Sequence, residues 1–254
     1  MKKRMNSFIP WMVPLLLLVS WQIFSSLGWI SSRILPSPID IFKAAIELGQ
    51  SGQLFHHIGV STKRAFWGFL IGGGIGFALG LWNGLSKVAE TLFDTSIQMI
   101  RNIPHLALIP IVILWFGIGE EAKLFLVALG TFFPIYLNTF HGIRSVDASL
   151  IEMGKVYGLK GISLFRHVIF PGALSSILVG VRYALGITWV TLIVAETIAA
   201  NSGIGYMAMN AREFMQLDVV VLSIILYAFL GKLSDYTAKL AERRFLKWNT
   251  NYQR

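Results

Sequence analysis

Six apolar runs, near residues 9–28, 65–86, 97–117, 122–142, 172–198 and 218–238, limit what this chain can fold into. Each approaches the roughly 20 residues that a helix needs to cross about 30 Å of hydrocarbon. Backbone N–H and C=O groups find no water there, so helices that satisfy them internally are the elements expected. A soluble protein with buried apolar helices would break its runs at about 10–14 residues. At 55% hydrophobic and 14% charged residues, with a mean hydropathy of +0.64, the chain lies outside the range of ordinary soluble domains. The expected class is an all-α membrane protein with about six transmembrane helices.

The third run is ragged. Pro104 and Pro110 interrupt it, and only Leu106 to Phe116 is strictly apolar. Upstream, Asp94, Gln98, Arg101 and His105 recur at i, i+4, i+7 and i+11, which is one polar stripe on a helix. The pattern predicts a single long, kinked helix that starts in the cytoplasm, with its stripe towards protein or water. Met1-Lys2-Lys3-Arg4 before Trp11 to Trp29 has the look of a signal peptide, but the apolar stretch is long and Ser25-Ser26-Leu27-Gly28 is a poor cleavage site. It reads as an uncleaved first span.

Lysines and arginines set the orientation. With the N-terminus inside and six crossings, inner segments hold thirteen of them. Outer segments hold six: Arg33, Lys43, Lys63, Arg64, Lys123 and Arg212. Arg101, Arg182 and Lys232 fall within spans. The net charge of +9 is thus a topology signal with both termini cytoplasmic, and no nucleic acid is expected as a partner. The absence of cysteine excludes disulfides and thiol chemistry.

Within the spans, glycines at 68, 72, 76, 80 and 84 form a ladder four residues apart on one helix face. Such a groove lets helix backbones approach closely where lipid removes the usual hydrophobic drive. It suits packing within one subunit, or a surface that slides during transport. In the fifth span Arg182, Gly186, Trp189, Ile193 and Glu196 share a face, and ionisable residues at depth normally face protein or a wet cavity. That stripe, with Arg101 and His105, is the candidate translocation pathway; Arg182 would offer a fork to an anionic head group. The alternatives are a structural ion pair of Arg182 with Asp94 or Glu196, and anchoring of Arg101 and His105 near the inner surface. No histidine has a second at metal-ligand spacing, no phosphate-binding loop occurs, and no catalytic triad is credible. Neither metal nor cofactor is expected on this chain.

Between the fourth and fifth runs, Leu150, Met153, Gly154 and Tyr157 make an apolar stripe on a short helix that Gly158 can end in a left-handed conformation. Pro171 suits the first turn of the next span. A short apolar helix below the bilayer is buried either in a partner's groove or on the inner leaflet. The spacing Glu152-x5-Gly158-x9-Val168-x-Phe170-Pro171 resembles the cytoplasmic coupling loop of ABC importer permeases. It departs from that pattern in Met153 and Gly154, where the family carries two alanines. The likeness extends to Arg33-Ile-Leu-Pro-Ser-Pro38, Arg101-Asn-Ile-Pro-His105, Leu114-Trp-Phe-Gly117 and Ala195-Glu-Thr-Ile198. These are similar to the branch that serves sulfonates, taurine and nitrate. Asn201-Ser-Gly-Ile-Gly-Tyr206 and Met209-Asn-Ala-Arg-Glu-Phe214 resemble the members for aliphatic sulfonates.

The resemblance implies a type I ABC importer permease fold, with residues 1–57 as first helix and external linker. It implies a permease domain at 58–242 with its coupling loop at 148–171, and a basic cytoplasmic tail at 243–254. It also implies a bacterial cytoplasmic-membrane location and a homodimer. A separate ATP-binding cassette subunit would use the ATP and Mg²⁺, and an external binding protein would deliver the cargo. Aliphatic sulfonates are the expected cargo, with taurine, nitrate or a heterocyclic vitamin precursor as alternatives. Glu152, Gly154, Tyr157, Gly158 and Pro171 carry the coupling in that scheme.

Overall fold

A computed structural model describes the backbone of residues 2–248 and the side chains from Met12 onward, that of Ala199 apart. Residues 249–254 of the expected basic tail lie outside the described residues. Among the described residues all regular structure is helical: α1 (Lys2–Ser26), α2 (Pro38–Gln50) and α3 (Gln53–Leu85). They are followed by α4 (Lys87–Arg101), α5 (His105–Phe116), α6 (Glu120–Arg144), α7 (Ala148–Val156), α8 (Gly161–Ile198), α9 (Ile204–Glu213) and α10 (Leu217–Phe245).

Four helices, α3, α6, α8 and α10, are long and apolar enough to cross a membrane, and α4 with α5 makes up to five. The apolar part of α1 among the described side chains, Met12–Ser26, is shorter. The expected single kinked third helix is instead two short helices that meet at 80°. The chemistry of the break is local. Asn102 ends α4 by donating its N–H to the Met99 carbonyl at 3.2 Å, and Pro104 drives Ile103 out of the helical region. A 3₁₀ turn at His105–Leu108 then starts α5. The polar stripe is therefore divided. Asp94 accepts from the Tyr136 hydroxyl at 2.9 Å, whereas Arg101 and His105 sit at the elbow.

The closest packing joins α3 to α6. A methyl placed on Gly68 would stand 2.5 Å from Val127 Cγ1, and methyls on Gly76 and Gly80 would stand 2.5 and 2.6 Å from the Phe132 and Tyr136 carbonyl oxygens. One on Gly72 would overlap the Ala128 carbonyl, and one on Gly84 would reach Ile143. The three middle rungs of the ladder thus receive the carbonyls of every fourth residue of a neighbouring helix, backbone against backbone. Gly74, off the ladder, faces nothing within 4 Å. The other side of α6 packs on α8, which in turn packs on α10. Val127, Leu192, Ile204 and Tyr227 form a buried core between α3, α6, α8, α9 and α10. At the far end of α6, Arg144 pairs with Glu90 of α4.

Candidate functional site

The helix α7 is held by bonds to its own flanks. Asp147 caps it by accepting from the Ser149 N–H at 2.8 Å, and that backbone bond holds the Asp147 carboxyl below the usual carboxylate range. At the other end Gly158 sits at φ +83°. Leu159 N–H donates to the Gly154 carbonyl and Gly158 N–H to Lys155, both at 3.0 Å, a complete left-handed C-cap. Gly154 is buried: a methyl there would come within 2.8 Å of Leu164 and 3.1 Å of Val168. The predicted stripe is split by this contact. Gly154 faces the start of α8, while Leu150, Met153 and Tyr157 face outward. Val156, Tyr157 and Ile162 are more than 80% exposed, and neither Val156 nor Ile162 belongs to the stripe read from the sequence. Glu152 is exposed and makes no ion pair among the described residues. α8 starts before Pro171, at Gly161, and a π turn at Phe165–Ile169 precedes the proline that cannot donate.

At the opposite end of the helices, Glu196 of α8 is buried among donors from three other helices. Its carboxylate accepts from Arg64 Nη1 and Ser61 Oγ of α3, both at 2.8 Å. The Tyr227 hydroxyl of α10 and the Gly205 N–H of α9 also donate to it, both at 2.9 Å. Arg64 is itself buried and grips Glu120 at the start of α6 with a second pair of N–H groups. Gly203, at φ +109°, packs so tightly on the Glu196 carboxylate that any side chain there would overlap it. One cluster thus fastens α3, α6, α8, α9 and α10 together. The sequence reading missed it by treating Arg64 as a loop charge. The available signal was a membrane-buried carboxylate in need of a cation at equal depth.

The stripe on α8 divides in two. Trp189 and Glu196 lie in packed interior, where the Trp189 indole donates to Ser234 Oγ at 2.8 Å and meets Tyr227 edge-on. Neither Trp189 nor Glu196 lines the larger clefts. Arg182 pairs with Asp235 at 2.6 Å and lies 3.8 Å from Glu242, so Asp94 and Glu196 are not its partners. Arg182 and His105 line a cleft of about 580 Å³ between α5, α8 and α10. Arg101 and His105 line a neighbouring one of about 450 Å³ against α6 and α8. The two share His105, Val179, Tyr183 and Ile187. His105 Nε2 lies 3.0 Å from Thr191 Oγ1, directly over Gly130. Arg101 and His105 therefore face the middle of α6 and α8 across this cleft.

Membrane-length helices around a polar-edged cleft, with a solvent-directed apolar hairpin at one end, define a membrane permease subunit. The chain belongs to the binding-protein-dependent transport system inner membrane components, whose family pattern matches residues 72–247. A protein of Escherichia coli K12 named as an aliphatic sulfonates transport permease, SsuC, is 62% identical over 251 residues, 99% of this chain and 95% of that protein. Its namesake in Bacillus subtilis 168 is 46% identical over 95% of this chain and 88% of its own. The taurine transport system permease TauC of E. coli K12 is 33% identical over 93% and 88%. The methionine ABC transporter MetNI, solved in inward-facing conformations, shares the fold at a TM-score of 0.52 and 18% identity, over 75% of this chain and 94% of that one. The chain is thus a transport subunit, and ATP hydrolysis in such systems falls to a separate component.

Proposed function

We propose that this chain is the permease of an ATP-driven importer for aliphatic sulfonates, working as a homodimer in a bacterial cytoplasmic membrane with both termini inside. Two ATPase subunits, which alone use ATP and Mg²⁺, grip the α7 hairpins, and an external binding protein delivers the cargo. The cargo follows the relatives: identity is nearly twice as high to the sulfonate permease as to the taurine permease.

One observation carries the coupling. Val156, Tyr157 and Ile162 present an apolar surface that nothing in this chain covers, on a hairpin whose polar backbone groups are capped from within, so the hairpin is complete without a partner yet suited to a partner's groove. Closure of the ATPases would displace α7, and Gly154 seated on Leu164 and Val168 would pass the movement to α8, tilting it between inward-open and outward-open states.

The test is Gly158→Leu. The site has open space around it, so the substitution strains only the left-handed backbone of the turn. Expected is ATP hydrolysis that no longer drives sulfonate uptake, at an unchanged amount of protein in the membrane. Val156→Asp should in addition lose co-purification with the ATPase. Normal uptake by both variants would sink the assignment of the hairpin.

A further inference from the structure

Two arginines edge the central clefts, and they are not equivalent. The Arg182 guanidinium is neutralised by Asp235 and has Glu242 beyond it. Arg101 has no ion-pair or hydrogen-bond partner for its side chain among the described residues. Exposed at the end of α4, it faces Pro134 and Asn138 in the inner half of α6 and Ile187 near the middle of α8. An uncompensated cation against membrane-length helices is costly and is kept where it meets a wet cavity or a charged guest. The 80° elbow that places it there also turns His105 into the same cleft. The Asn138 amide on this wall is engaged with the Pro134 carbonyl, and the α8 side is mainly apolar, made by Val179, Ile187 and the ring of Tyr183.

Resting on the importer reading above, we infer that Arg101 receives the anionic head group of the cargo as it crosses, while the apolar face of α8 takes the aliphatic tail. A guanidinium fork matches the oxygens of an oxyanion in two parallel bonds. Arg182, already occupied by carboxylates, holds α8 to α10 and makes no such contact. The pairing of one free cation with an apolar wall selects a small organic anion over a bare inorganic one.

The experiment uses the complete transporter in proteoliposomes, with its ATPase and binding protein, and labelled butanesulfonate as the probe. Arg101→Gln is expected to slow uptake by about 10- to 100-fold, the worth of one charged hydrogen bond. ATP hydrolysis stimulated by the loaded binding protein should stay near wild type, which separates cargo contact from failed coupling. Arg101→Lys should fall between the two. The chain contains no cysteine, so R101C gives one reactive thiol per permease copy; aminoethyl methanethiosulfonate, which restores a cation, should recover uptake, with the wild-type complex treated alike as the control for thiols on the partners. A neutral methyl reagent should not. Wild-type uptake by Arg101→Gln, or equal recovery with both reagents, overturns the role of Arg101. Failure of the wild-type complex to import any alkanesulfonate would instead sink the importer reading, and this inference with it.

Discussion

At Glu196 four donors from three other helices converge on one carboxylate, and removing any one leaves charge or dipole stranded where water does not reach. Arg64→Met strands Glu196 in the interior, while Glu120 is half-exposed and keeps Lys123. The permease should lose about 3–5 kcal/mol of stability, read as a lowered melting temperature in detergent. Glu196→Gln keeps a carbonyl oxygen for the Gly205 N–H and should cost less, and the double variant should melt above Arg64→Met alone. The sequence shows Arg64 and Glu196 only as two charges 132 residues apart. Nothing local links them, because the pairing depends on how α3 and α8 stack. Trp189 fails for the same reason: helical periodicity gives it a face, but which neighbour covers that face is a tertiary fact.

The hairpin around α7 lies at the other extreme. Its caps join residues two to five apart, so Asp147, Gly154 and Gly158 announce it directly, and only the depth of Gly154 against Leu164 is invisible. The elbow at Asn102–Pro104 is intermediate. Prolines mark the spot, but a kink and an 80° turn share that signature. The α3 ladder permits a sharp comparison. Gly76→Leu drives a side chain into the Phe132 carbonyl, whereas Gly74→Leu enters open space; only the former should fail to yield monodisperse protein on size exclusion. At the head of α2, Ser37 and Asp40 form a reciprocal cap, with Ser37 Oγ donating to Asp40 at 2.6 Å. That bond depresses the Asp40 pKa. The cap therefore contributes fully above the ordinary carboxylate value of about 3.9. Amide protection at the start of α2 should fall as the pH drops through the lower folded value.

Across the whole molecule, sidedness is open to direct measurement because every introduced cysteine is unique. In the proposed orientation, V156C should react with a membrane-impermeant maleimide only in inside-out vesicles stripped of the ATPase that otherwise covers it. M215C, on the exposed turn between α9 and α10, should react only from the outer side of intact cells. Composition made the membrane class plain. It did not reveal how sharply the third span breaks, since apolar length cannot tell a straight crossing from the bent α4–α5 pair. The backbone contact of α3 with α6 bears on how such a body moves. The carbonyls of Ala128, Phe132 and Tyr136 sit like teeth in notches one helical repeat apart, about 6 Å. A shift of less than a full notch would jam every tooth at once. The two helices must then travel as one rigid mast, and the opening of the pore falls to the helices hung from it.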